Sequence, residues 1–151
     1  MKRNSRLSSV LHVILHMAER ASPMTSEELA VHMHTNPVVV RRTMAGLRDA
    51  GFVQSEKGYG GGWVIARDLG TLTLRDIYNA LGSPEFFALG NRTENPACLV
   101  EQSVNHALDS AFHEAETLII ERLGKVSLAD LAADFHRRFD AYKKEKISHD
   151  L

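Results

Sequence analysis

Apolar residues recur at helical spacing from the start of the chain. Leu7, Val10, Leu11, Ile14, Leu15 and Ala18 predict a first helix over residues 5–20 with this stripe buried. Ser22-Pro23 breaks it. Thr25-Ser26-Glu27-Glu28 has the form of a capping box, in which a threonine hydroxyl and a carboxylate three residues later satisfy exposed backbone N–H groups. It predicts a short helix through Met33, with Leu29 and Met33 inward. After the tight connection His34-Thr35-Asn36, Asn36 is a helix cap and Pro37 a first helical residue, so a third helix should run to about Ala50. Gly51 is placed to end it in a left-handed conformation.

On that third helix Val40, Thr43, Met44 and Leu47 share one side, while Val38, Arg42, Ala45 and Asp49 lie opposite with Arg41 on the flank. The run Glu56-Lys57-Gly58-Tyr59-Gly60-Gly61-Gly62 then separates two short β-prone stretches, Phe52-Val53-Gln54 and Trp63-Val64-Ile65-Ala66. Two short helices followed by a glycine-tipped hairpin describe a winged helix. An outer helix face that opens with a valine and two arginines suits entry into a DNA major groove by the helix N-terminus. Val38 would meet thymine methyls there, and Arg41 and Arg42 guanine edges or phosphates. Taken alone, the plainer reading of this face is solvated surface; the adjacent wing reverses that preference.

Further on, Thr73 caps a short helix from Leu74 to Leu81, and residues 82–97 form a long connection with Gly82, Pro84, Gly90 and Pro96. Asn95-Pro96 starts a long helix carrying Val100, Val104, Ala107, Leu108, Ala111, Phe112, Ala115, Leu118, Ile119 and Leu123. That stripe exceeds what a head of this size covers, and it predicts a dimerisation helix. Gly124 ends it. Ser127 caps a last helix with Leu128, Leu131, Phe135, Phe139 and Tyr142 on one face, and the charged tail from Lys143 is expected to fray. The resulting organisation is a winged-helix domain at 1–81, a loop at 82–97, and the dimerisation and C-terminal helices at 98–151. The fold class is mainly α with a small β-hairpin wing.

The net charge of −1 changes the picture once the chain is divided. Residues 1–67 hold nine Lys/Arg against five Asp/Glu, a net +4, and residues 68–151 hold nine against fourteen, a net −5. A basic head on an acidic body suits a polyanion-binding module, although scattered surface charge would produce the same totals. No apolar run approaches the roughly 18 residues of a membrane span, and no signal-peptide core opens the chain. The single cysteine excludes an internal disulfide framework and suits the cytoplasm.

Four segments together carry a resemblance. Ser26-Glu27-Glu28-Leu29-Ala30, the turn Leu47-Arg48-Asp49-Ala50-Gly51-Phe52-Val53, the wing Gly58-Tyr59-Gly60-Gly61-Gly62-Trp63, and Leu74-Arg75-Asp76-Ile77 follow in order. The chain resembles the bacterial Rrf-type winged-helix regulators, the family that includes iron–sulfur cluster and nitric-oxide-responsive repressors. The match covers about residues 5–135, and its specific part is the wing and its spacing from the Ala-Gly-Phe-Val turn. The resemblance implies a homodimer joined through the helix at 96–123, with each recognition helix in a major groove and each wing in a minor groove of a palindromic operator. Cluster-binding members hold iron with three cysteines around the start of the long helix. This chain has only Cys98 there, so it resembles a cluster-free, single-cysteine branch and no cofactor is expected.

The candidate DNA-binding set is therefore Lys2, Arg3, Arg6, Ser26, Asn36, Pro37, Val38, Arg41, Arg42, Lys57, Tyr59, Gly60 and Gly61. Lys57 at the wing's base, like Lys2, Arg3 and Arg6, is placed to meet phosphate, and Trp63 reads as packing beneath the wing. With Asn95 as cap, Cys98 would be the third helical residue, where the helix dipole favours a thiolate. It is a candidate redox or electrophile sensor, through an intersubunit disulfide for instance; a small buried packing residue is the preferred alternative. Eight histidines invite a metal reading. His12 and His16 are four apart, His106, Asp109 and His113 fall near one helix face, and His32 and His34 flank a turn, but spacing fixes no third ligand. Partly exposed structural histidines are the expectation, with no metal. The favoured function is a DNA-binding repressor in the cytoplasm, controlled by an unassigned small-molecule or redox effector near residues 82–98. The rival is a winged-helix module that binds a partner protein. An enzyme is disfavoured, since no nucleophile–base pair, phosphate loop or paired carboxylates occur.

Overall fold

A computed structural model describes residues 5–87 and 97–149. Three helices open the chain: α1 (Arg6–Ala18), α2 (Ser26–Met33) and α3 (Pro37–Asp49). An antiparallel hairpin follows, β1 (Val53–Glu56) and β2 (Gly62–Ile65), in a register that pairs Val53 with Ile65 and Glu56 with Gly62. A 3-10 turn at Leu69–Thr71 leads to α4 (Leu74–Ala80), and two long helices, α5 (Leu99–Leu123) and α6 (Leu128–His149), complete the fold. This is the winged-helix architecture with a helical extension. No described helix is long and apolar enough to cross a membrane.

The short elements begin where local chemistry dictates. The Thr25 hydroxyl accepts from Glu28 N–H at 3.2 Å, and the Glu28 carboxylate accepts from Thr25 N–H at 2.8 Å, closing the capping box of α2. Asn36 Oδ1 accepts from Val38 and Val39 N–H at 3.0 and 3.1 Å and so starts α3 ahead of Pro37. Gly51, at φ +79°, turns the chain out of α3 into β1. Thr73–Asp76 and Ser127–Asp130 repeat the capping arrangement at α4 and α6.

The core sits where α1, α2, α3, the hairpin and α4 converge. Val40, Thr43, Met44 and Leu47 form the buried side of α3 as their spacing predicts. On α1 the buried residues are Val10, Val13, Ile14 and Met17, with Leu7 and Leu11 partly covered, so the predicted stripe is rotated toward Val13 and Met17. α1 touches α2, β2, α4 and α6, so burial extends over more than one face. Leu128, in the first turn of α6, is fully buried in the same core with Leu72. Backbone bonds hold it there: Leu128 N–H donates to Leu72 O at 2.8 Å and Leu74 N–H to Val126 O at 3.0 Å. The C-terminal helix pair is thereby rooted in the head.

Two expectations need correction. α6 does not fray at Lys143 but continues to His149. The ammonium of Lys143 lies over the Phe139 ring at 4.3 Å and that of Lys146 over Tyr142 at 5.4 Å, each pairing a charged chain with an aromatic one turn earlier. The connection after α4 is also less open than its composition suggests. Tyr78 Oη donates to Pro84 O at 2.8 Å, its ring stacks on Phe86, and Phe87 reaches Phe112 of α5 with centroids 5.7 Å apart. The Asn95-Pro96 helix start lies outside the described residues.

Candidate nucleic-acid interface

The first turns of α3 face solvent with an apolar and cationic mixture. Val38 is 60% exposed, Val39 is exposed beside it, and Arg41 and Arg42 extend from the next turn. Arg42 has no hydrogen bond or ion pair among the described residues. Arg41 does: its Nη2 donates to Glu27 Oε1 of α2 at 2.9 Å. Both partners are well exposed, so this pair contributes little to stability and an incoming phosphate can replace the carboxylate. Asn36 and Pro37 serve α3 from within, one capping its backbone and the other, half-buried, occupying its first position.

The wing presents Lys57 and Tyr59, both exposed, with Tyr59 at the outermost point. Its tightness depends on glycine at two places. A β-carbon on Gly61 would stand 2.3 Å from Glu56 O, and one on Gly62 would stand 2.5 Å from Met24 O. At Gly62 the strand passes against the lead-in to α2, where Trp63 N–H donates to Met24 O at 2.8 Å and Met24 N–H to Trp63 O at 3.1 Å. Gly60, at φ +75°, has open space around it. Trp63 is 8% exposed under the hairpin, as its packing role requires.

Ser26 departs from its expected role. Its hydroxyl accepts from Trp63 Nε1 at 3.1 Å and the residue is 8% exposed, so the side chain joins wing to helix and does not face outward. Arg6 donates from Nη1 to Leu81 O at 3.4 Å, which directs it to the end of α4. Lys2 and Arg3 lie outside the described residues. Sequence reasoning missed Val39, whose exposure follows from the same helical wheel. It also missed exposed Val31 on α2 and Glu27 as the partner of Arg41, which only the packing of α2 on α3 reveals.

Cys98 is the cap residue of α5, not its third helical residue: its backbone is extended at φ −78°, ψ 123°. The side chain closes no capping hydrogen bond. The N–H dipoles of Glu101 and Val100 nonetheless hold the thiol below the usual cysteine range. The thiol is exposed in the chain, against the packing reading. The histidines divide. His12 and His16 are joined by His32 of α2, while His34 terminates α2 in a left-handed conformation at φ 50°. Among the described residues no comparable group forms around His106, Asp109 and His113.

Comparison with known proteins agrees with this geometry. The sequence profile of the Rrf2 family, described as an iron-dependent transcriptional regulator, matches residues 3–134. YwnA of Bacillus subtilis (strain 168), provisionally designated an HTH-type transcriptional regulator, is 32% identical over 130 residues, covering 85% of this chain and 95% of that protein. A crystal structure from Lactobacillus plantarum, provisionally designated a transcriptional regulator, superposes with TM-score 0.72 at 25% identity over 95% of this chain and 98% of its own. CymR, the global cysteine regulator of B. subtilis, shares the fold with TM-score 0.62 at 21% identity, over 88% of this chain and 97% of its own. These relatives are regulators rather than enzymes. The residues present do not fit an iron–sulfur cluster: the chain has one cysteine, and it lies exposed at a helix start.

Proposed function

The chain belongs to the Rrf2 family of transcriptional regulators, and from that premise we propose that it is a homodimeric repressor of a palindromic operator. One observation carries the reading: the N-terminal end of α3 offers Val38 and Arg42, the latter unengaged among the described residues, to solvent, and the chain leaves α3 directly into a wing tipped by exposed Tyr59. The end of α3 enters the major groove, where Val38 packs on a thymine methyl and Arg42 donates to guanine O6 and N7. Arg41 exchanges Glu27 for a phosphate. Lys57 and Tyr59 follow the adjacent minor groove, with Gly60 and Gly61 letting the backbone approach the sugar edge.

Two heads are required for a palindrome, and α5 supplies the means of joining them. This helix of 25 residues leaves Leu99, Val100, Val104, Leu108 and Leu118 exposed, a face that a second copy would cover. Repression follows from occupancy of the operator. Chemistry at Cys98, where α5 begins, acts on the joint between head and dimer helix.

Selection of genomic fragments by the purified chain, followed by affinity measurement at physiological salt, tests this. Arg42→Ala should weaken the selected duplex by roughly 5- to 150-fold while leaving random duplex nearly unchanged. Equal loss on both, with the fold intact, would remove the base-reading role. Absence of any selected sequence would leave a partner-protein module as the better reading.

A further inference from the structure

Outside the DNA-facing surface, the most concentrated chemistry lies where α1 meets α2. His12 and His16 are one turn apart on α1, and their Nε2 atoms stand 2.9 Å from each other. His32, in the last turn of α2, stacks on His16 with ring centroids 4.2 Å apart and meets His12 edge-on at 5.9 Å. One nitrogen from each ring lies within 4.8 Å of the others. We propose that His12, His16 and His32 form a binding site for a divalent transition-metal ion of the zinc class, which fastens α1 to α2.

The geometry is close to what such an ion needs. Zinc bound tetrahedrally at about 2.0–2.1 Å holds its ligand nitrogens roughly 3.3 Å apart. The His12–His16 pair is slightly inside that spacing, and the separations to His32 need to close by about 1.5 Å at most. His12 and His16 are exposed and His32 half-buried, which leaves room for the His16 and His32 rings to turn from stacked to convergent, as metal binding requires because each lone pair lies in its own ring plane. The donor set is selective: three imidazoles favour zinc, copper or nickel over magnesium or calcium, which prefer oxygen. Three protein nitrogens leave a fourth position for water. A cavity of about 180 Å³ lined by His12, Leu15, His16, Glu19 and Phe135 opens beside the pair and gives solvent that access.

Partial burial, then the neighbouring His32 and His12, push the His16 pKa below the ordinary imidazole value. Ring stacking and one nitrogen–nitrogen hydrogen bond hold the metal-free cluster together, and neither interaction requires three histidines. The site does not depend on what the head binds, and it is separate from Cys98.

The test uses the full chain without an affinity tag, titrated with zinc chloride and followed by calorimetry and thermal unfolding. One ion per chain should bind, and at saturation the Tm should rise by about 5–10 °C, reversibly on chelation. His16→Ala and His32→Ala should each abolish the rise and keep a Tm near that of the metal-free parent, with His32→Gln as the conservative second variant. His34→Ala and His106→Ala should retain it, and magnesium chloride should produce none. The proposal is overturned if zinc gives no saturable shift, if the shift survives in His16→Ala/His32→Ala, or if His106→Ala removes it.

Discussion

Replacing Gly62 with alanine should separate the wing from the helix-turn-helix, and the magnitude can be worked out from its surroundings. The residue sits at φ +152°, and a β-carbon there would lie 2.5 Å from Met24 O, 2.7 Å from Met24 C and 3.1 Å from Thr25 N. All three are backbone atoms at the entrance to α2, so no side chain can swing aside. Restoring ordinary contact requires the two segments to part by roughly 1 Å. That separation breaks both Met24–Trp63 backbone bonds, each worth about 1 kcal/mol. Holding a non-glycine residue at such a φ adds about 1–3 kcal/mol of strain. The expected loss is therefore about 3–5 kcal/mol. Gly60→Ala is the matched control: its φ is also positive, at +75°, but its β-carbon meets nothing within 4 Å. Only the left-handed strain of about 1–2 kcal/mol remains there. Urea unfolding followed by fluorescence reads the difference directly, because Trp63 is the only tryptophan and lies at the junction. Losses within about 1 kcal/mol of each other would refute the contact argument, since a methyl tolerated at Gly62 would mean that the strand and the α2 entrance are not in register.

Two further outcomes follow from α5. Val104→Glu combined with Leu118→Glu places charge at residues 51% and 61% exposed in the single chain. If this face joins two copies as proposed, the double change should shift sedimentation from dimer to monomer, weakening association by at least about 100-fold, with helicity and tryptophan emission unchanged. A persistent dimer would exclude this face. Because the N–H groups of Glu101 and Val100 lower the Cys98 pKa, the thiolate survives to lower pH in the folded chain than in free cysteine. The midpoint of alkylation rate against pH should accordingly lie below that of free cysteine and return to it in denaturant. A folded midpoint at or above the free value would show that the helix start does not act on the sulfur.

The legible parts of this protein are those whose causes lie within a few residues. Thr25, Asn36-Pro37, Thr73 and Ser127 cap the helices they precede because each cap closes onto N–H groups two or three residues away. The inner side of α3 follows from 3.6-residue periodicity, and the turn at Gly51 from the one residue without a β-carbon. The outward placement of Val38 and Arg42 comes from the same periodicity.

Tertiary structure decided the rest. Ser26 looks like a surface hydroxyl until Trp63, 37 residues later, arrives to donate to it. Arg41 looks free until α2 packs on α3 and brings Glu27 within 2.9 Å. Four-residue spacing paired His12 with His16, but only the crossing of α1 and α2 added His32. Leu128 belongs to the head because a short backbone bridge to Leu72 carries it there across the whole of α5. Cys98 is a cap because its own backbone is extended and helical dihedrals begin only at Leu99. Local hydrogen-bond closure and side-chain period are properties of short segments and are written in the sequence. Which polar groups meet, and which faces remain exposed, depends on contacts between segments distant along the chain, and those exist only once the core has assembled.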